Sequence, residues 1–306
     1  MIVAHAEVTV STFPNAKALP LWAGVEQGLF TELDLNLTLH ETGSSKEQRK
    51  CLAEGGVHIV QAAVDNALAM IKGGQDVIIF MGGEGGMNDF MVSSSIKSFA
   101  DLKGCTLAVD SPNTAYALLA RKVLADHGLQ LGRDYQLKPV GNGAKRLRAL
   151  KSDDTLAGAI LNPPFSAEAQ LAGMHSLGAL DDLVGPYQAG GAFAMRAWAN
   201  ANGEVVERYI AGYLNALDWL RTKANENAAV DLLRHRLDLT APIAIATYHQ
   251  LCDPRRGFTA QAKFNDEGFA QVLSVRAETE GADPSSAKPS AYVDLSYYDR
   301  VASSRR

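Results

Sequence analysis

"SSSIKSFADLKGCTLAVDSPNTAYALLARKVLADHGL", residues 93–129, holds the pattern on which the fold turns. "CTLAVD" is an apolar run ending in an acid, which reads as a buried strand. Ser111, Pro112, Asn113 and Thr114 then form a small polar corner, with Pro112 favouring a helix start. From Asn113 to Asp126 the apolar residues fall at helical spacing, and Gly128 supplies the stop. The same order occurs earlier, in "HETGSSKEQRKCLAEGGVHIVQAAVDNALAM", residues 40–70. There Gly43, Ser44 and Ser45 stand where an extended run ends and a helical run begins.

Working outward, strand and helix patterns alternate on both sides. Residues 2–10 read as a strand, followed by the loop "STFPNAKALP", in which Pro14 and Pro20 exclude a continuous helix. "LPLWAGVEQGLF" reads as a short helix with Leu21, Val25 and Leu29 on one face, closed near Gly28. "LDLNLTLHE" alternates apolar and polar residues as a half-buried strand does. "VHIVQAA", "VDNALAMIKGG" and "DVIIFMGG" continue as strand, helix and strand, an alternation that implies parallel pairing through crossover helices. After residue 129, "YQLKPVG", "NGAKRLRALKSD", "LAGAILN", "FSAEAQLAG" and "MHSLGAL" repeat the alternation, with Pro163–Pro164 ending one strand. The last third is helical: one long region over 202–237, with Val205, Tyr209, Tyr213 and Leu217 at helical spacing, then helices starting at Thr240 and Asn265. "ASSRR" at the end reads as a disordered tail. The expected class is α/β: two units, each a mostly parallel sheet with flanking helices, and C-terminal helices packing on the first unit. Two such units facing each other enclose a cleft, because ligands of open parallel sheets sit beyond the carboxyl ends of the strands.

Composition narrows the function. A net charge of −5 over 306 residues, with no basic stripe, gives no footprint for nucleic acid. The three cysteines, Cys51, Cys105 and Cys252, form no CxxC pair, and the seven histidines make no HExxH or other metal spacing. "MGGEGGMND" is glycine-dense but matches neither GxGxxG nor a P-loop, so no nucleotide cofactor is expected. There is no GxSxG elbow. No run approaches the roughly 18 apolar residues of a membrane span. "MIVAHAEVTVSTFPN" carries no secretory signal pattern. The expected location is therefore periplasmic if the sequence is a mature form, and cytoplasmic if it is the full chain.

These residues resemble the type II periplasmic substrate-binding proteins of ABC importers, in their nitrate, sulfonate and thiamine-precursor class. "PLWAGVEQGLFTELDLNLTL" is similar to that family's opening. "SSSIKSFADLKGCTLAVDSPNTAYALLARKVLADHGL" resembles its element leading into a strand and a ligand-facing helix start. "LAGAILNPPFSAEA" and "YVDLSYYDR" add to the likeness, which covers about residues 9–300. "LDLN" departs from the glycine-containing turn usual before the second strand, and the family's usual export signal or lipoprotein cysteine is not seen. The resemblance implies a two-lobed protein. Residues 1–92 and 196–306 would form lobe 1 and residues 93–195 lobe 2, with hinges near 91–94 and 192–196.

The candidate site residues follow from the corners and the resemblance together. Capping alone accounts for one of Ser44 and Ser45; the alternative is that a hydroxyl and free N–H groups hold a ligand oxygen. Ser111, Asn113 and Thr114 carry the same two readings. Thr12, Phe13 and Asn15 follow the first strand, and Trp22 lies on the next helix as a core residue or a stacking surface. Asp65 and Asn66 stand at another strand end, as a cap or as contacts to a ligand amine. Glu84 is the carboxylate expected to face a ligand. Asn162, Phe165, Tyr187, Gly190 and Gly191 complete the set. If the chain is an enzyme, His40 with Glu41, or Glu84, would be the acid–base groups.

The resemblance implies capture of a small polar or anionic organic molecule by hinge closure, as the solute-binding component of an ABC importer with a permease as partner. The alternative is a cytoplasmic enzyme on the same scaffold, such as a decarboxylase, hydrolase or isomerase acting on a small carboxylate.

Overall fold

Among the described residues, ten strands divide between two five-stranded sheets. The computed structural model describes residues 5–280 and 289–305. The first sheet contains β1 (Ala6–Thr12), β2 (Leu35–Glu41), β3 (Ile59–Ala63), β4 (Val77–Glu84) and, inserted from later in the chain, β10 (Gly190–Met195). Its order is β2-β1-β3-β10-β4, and β10 runs antiparallel to both of its neighbours. The second contains β5 (Asp89–Val92), β6 (Thr106–Val109), β7 (Gln136–Pro139), β8 (Leu156–Leu161) and β9 (His175–Ala179), in the order β7-β6-β8-β5-β9. Strand β5 is the antiparallel member there, pairing β8 and β9. Residues 2–4 of the expected first strand lie outside the described residues.

Helices connect the strands as parallel pairing requires. They are α1 (Leu19–Glu26), α2 (Ser45–Ala53), α3 (Asp65–Lys72), α4 (Ala115–Asp126), α5 (Gly143–Ser152), α6 (Phe165–Leu171) and α7 (Leu180–Val184). After β10 come α8 (Arg196–Ala201), α9 (Gly203–Arg221), α10 (Glu226–Leu237), α11 (Ala241–Leu251), α12 (Asp266–Glu280) and α13 (Ser296–Ser304). The long helical region thus breaks in two at residues 222–225. The end of the chain is helical up to Ser304 instead of disordered, because Tyr297, Tyr298 and Val301 bury one face of α13.

One core lies between the first sheet and α1, α9 and α10, around the fully buried Trp22, Phe30, Phe80, Tyr209 and Tyr213. A second runs through both units: Val60 and Phe193 of the first sheet share it with Phe90, Leu107 and Leu118 of the second unit. Helix α12 joins it through Phe269 and Val272, and Lys122 of α4 meets Glu278 at 3.4 Å. The C-terminal helices therefore do not rest on the first unit alone; α12 packs on α4, and α11 also touches α6.

The passages between the sheets lie earlier in the chain than expected. Met91 and Val92 are inside β5, and Ala192 to Met195 inside β10. The chain crosses instead at residues 85–88 and 185–189. The shift follows from pairing: β5 enters its sheet at Asp89, opposite Leu161, and β10 enters at Gly190, opposite Ala63.

Candidate functional site

The carboxyl ends of the parallel strands of both sheets meet around a cavity of about 110 Å³. From the first unit, β1 delivers Thr12 and the following Phe13, Pro14 and Asn15; β3 delivers Gln61 and Ala63; β4 delivers Gly83 and Glu84. Helices α2 and α3 begin there with Ser45 and Asp65. From the second unit come Asp110 after β6, Thr114 and Tyr116 at the start of α4, Asn142, Gly143 and Arg146 at the start of α5, and Asn162 and Phe165 between β8 and α6. Because β10 is antiparallel, its first residue, Gly190, falls at this same end. Tyr213 of α9 and Phe258 beyond α11 close the floor. Helix starts expose unpaired N–H groups, so both walls are suited to an oxygen-bearing guest.

Charges on the walls are mostly matched. Lys17 Nζ donates to Glu84 Oε1 at 2.9 Å, to Asn88 Oδ1 at 3.3 Å and to the Tyr116 hydroxyl at 3.4 Å. Burial opposes the Lys17 charge, but Glu84 and Tyr116 outweigh it and hold the ammonium above the ordinary lysine pKa. Glu84 Oε2 accepts from the backbone N–H groups of Gly86 and Met87 at 2.6 and 3.0 Å. Asp65 Oδ1 meets Arg276 at 2.5 Å, and Arg49 donates to Asn66 Oδ1 at 2.8 Å. Arg146 differs. Its guanidinium is 2% exposed and donates to the Gly141 carbonyl at 2.9 Å, while Asp110, its nearest acid, stays 4.0 Å away.

The cavity thus brings together Thr12, Phe13, Asn15, Ser45, Asp65, Asn66, Glu84, Thr114, Asn162, Phe165 and Gly190 of the expected residues. Others stand elsewhere. Trp22 is fully buried in the first core and donates to Glu41 Oε1 at 3.3 Å, so it is a packing residue. Ser44 caps α2 by accepting from the Glu47 N–H at 3.2 Å, and the Gly43 N–H is taken by the Glu47 carboxylate. Ser111 and Asn113 are exposed on the turn before α4. Tyr187 is buried but outside the cavity lining, and Gly191 lies inside β10. His40 and Glu41 end the edge strand β2 outside the cavity, where Glu41 serves Trp22. Glu84 faces the cavity with its oxygens engaged, an anchor for Lys17 and for the first passage between sheets.

Sequence reading missed Lys17, Gln61, Asp110, Tyr116, Asn142, Arg146, Tyr213 and Phe258. Asp110 and Asn142 sit at strand-to-helix corners, and the rule that found Ser45 reaches them. Nothing local distinguishes Lys17, Tyr213 or Phe258.

The model of the NMT1-like family matches residues 3–234. The chain belongs to the NMT1-like family. Solved structures agree with this member of the family in fold across nearly its whole length. A protein from Bordetella bronchiseptica RB50 is 20% identical, with 98% of each chain covered and a TM-score of 0.84. The periplasmic nitrate-binding protein NrtA of Synechocystis PCC 6803 is 12% identical over 97% of this chain and 88% of its own, with a TM-score of 0.80. The periplasmic aliphatic sulphonate-binding protein SsuA of Escherichia coli is 21% identical over 90% and 92%, with a TM-score of 0.74. The NMT1-like chain thus has the periplasmic-binding-protein fold. No curated protein sequence matches it.

Proposed function

We propose that this protein captures a small polar or anionic organic molecule between its two lobes and serves as the solute-binding component of an ABC importer. One observation carries the reading: the cavity is lined jointly by helix starts of both units, Ser45 and Asp65 on one side and Thr114, Gly143 and Phe165 on the other. A guest touching both walls favours the closed arrangement by its differential contacts, the physical requirement for ligand-driven closure. Residues 85–88 and 185–189, the two passages between sheets, are the hinge in this reading. The lobes are then residues 5–84 with 190–280 and 289–305, and residues 89–184. The neighbours named for nitrate and sulphonate binding support the transport role, a periplasmic place of action and a permease as partner. No helix of the described residues is long and apolar enough to cross a membrane.

The test is a thermal-shift screen of nitrate, sulfonates, carboxylic acids and neutral solutes, with mass spectrometry of the mixtures. A stabilising solute recovered unchanged, with a smaller radius of gyration in its presence, is the expected result. Chemical conversion of that solute would replace the transport reading with the enzymatic one.

A further inference from the structure

Arg146 is the cation of the cavity wall whose charge is least closely matched. Lys17 has a carboxylate at 2.9 Å and Arg276 one at 2.5 Å, but among the described residues Arg146 has only Asp110 at 4.0 Å. Asp110 is itself engaged by the Thr114 hydroxyl. Arg146 Nε is buried and has no hydrogen-bond partner among the described residues. A buried donor without an acceptor is costly, and a buried guanidinium more so, which makes such a group rare unless something completes it. Burial also pulls the Arg146 pKa below the ordinary arginine value, against the opposing effect of Asp110.

The surroundings say what would complete it. Arg146 stands in the first turn of α5, where Asn142 caps the Lys145 N–H at 3.2 Å. That cap leaves the Gly143 and Ala144 N–H groups with no acceptor inside the helix. A helix start and a guanidinium then present donors from the same turn, and the guanidinium fork suits a planar or tetrahedral oxyanion. The Tyr116 ring lies between the two cavity cations, 5.5 Å from the Arg146 guanidinium and 5.9 Å from Lys17 Nζ. Phe13, Phe165, Tyr213 and Phe258 add aromatic surface to a lining that elsewhere carries amides such as Asn66 and Asn162.

We infer that the guest is a small organic monoanion, a carboxylate or sulfonate, whose head group seats on Arg146 and the start of α5 while its apolar body lies among the cavity aromatics. This rests on the cleft-binding reading. It places the anion on the second unit, away from Lys17, which Glu84 already neutralises.

The test uses the full chain and titration calorimetry with matched pairs: benzoate and benzamide, benzenesulfonate and benzenesulfonamide, hexanoate and hexanamide, butanesulfonate and butanesulfonamide. At least one acid is expected to bind, with its amide weaker by roughly 10- to 100-fold, the range of a charged hydrogen bond. Arg146→Gln should lower affinity for that acid by a similar factor, Arg146→Lys by less, and Asp110→Asn should raise it. The acid preferred in the wild type separates carboxylate from sulfonate. If Arg146→Gln does not fold, the wild-type pairs and Asp110→Asn still decide. Amides binding as tightly as acids, or no acid binding, would overturn the inference. A neutral solute from the thermal-shift screen whose affinity Arg146→Gln leaves unchanged would overturn it too, with the cleft-binding reading intact. A screen with no binder removes both.

Discussion

Lys17 Nζ and Glu84 Oε1, 2.9 Å apart, tie the loop after β1 to the end of β4 at the rim of the first passage between sheets. Their side chains are 15% and 7% exposed, so neither is fully solvated when the other is removed. Glu84→Gln is expected to cost about 3 kcal/mol or more, since breaking a buried pair strands the remaining charge. Urea unfolding at neutral pH measures it, and a loss below about 1 kcal/mol would show the pair to be solvent-screened. The sign of the pH effect follows from Lys17. Its folded pKa is raised, so its contribution is complete below the unfolded lysine value of about 10.4 and declines as pH rises through the folded value. Wild-type stability should therefore fall more steeply than that of Lys17→Met as pH rises from about 10.4 towards the folded value, and the two should run parallel beyond it.

Ser44 and Ser45 are neighbours with different tasks. Ser44, in extended conformation, caps α2, whereas Ser45 is the first helical residue and lines the cavity. Ser44→Ala should lower stability by about 1 kcal/mol and leave ligand affinity unchanged. Ser45→Ala should do the reverse, weakening the ligand with little effect on the melting temperature. Parallel melting curves and titrations of the two variants check the split; equal effects on binding would contradict it.

Trp22 belongs to the core. Trp22→Phe removes its bond to Glu41 and leaves a smaller ring in a fully buried position. A stability loss of about 1–3 kcal/mol is expected, with affinity for the same ligand unchanged. A change in affinity without a change in stability would return Trp22 to the site.

Asp89 opens β5 beside the first passage, bonded by Ser176 at 3.2 Å and by Gln250 of α11 at 3.4 Å. Burial raises its pKa, against opposing contributions from Ser176, Arg256 and Gln250. The folded state thus keeps this proton over a pH range in which the unfolded chain has lost it. Stability from this group is greatest below the unfolded value of about 3.9 and declines as pH rises through the folded one. Asp89→Asn should flatten that decline. Unfolding curves across the acidic range would show it, and superimposable pH profiles for the two proteins would count against it.

Gly190 passes against Glu84 so closely that a Cβ there would lie 2.7 Å from Oε1. Gly190→Ala must displace the carboxylate that holds Lys17, and about 1–3 kcal/mol of overpacking cost is expected by denaturant unfolding. A variant as stable as the wild type would mean that the Glu84 side chain shifts freely.

The alternation of strands and helices was legible because it is local: "CTLAVD" and the helix after it carry their own periodicity and stop signals. The corners were legible for the same reason, and they led to Ser45, Asp65, Thr114, Asn162 and Phe165. Local pattern did not tell which residue of a corner turns inward, since a cap and a ligand contact use the same residue types. It also placed the passages between sheets several residues late. Where β5 and β10 begin depends on partners far along the chain, as Gly190 opposite Ala63 shows.

By itself the sequence determined the two α/β units and the corners at which donors gather, because backbone sterics and hydrophobic period act over a few residues. Only the tertiary structure decided which charges cancel. Lys17 finds Glu84 from 67 positions away, whereas Arg146 is brought into the cavity wall with no acid among the described residues closer than 4.0 Å. Electrostatic pairing depends on distance in space and on burial, and neither is written in the order of residues.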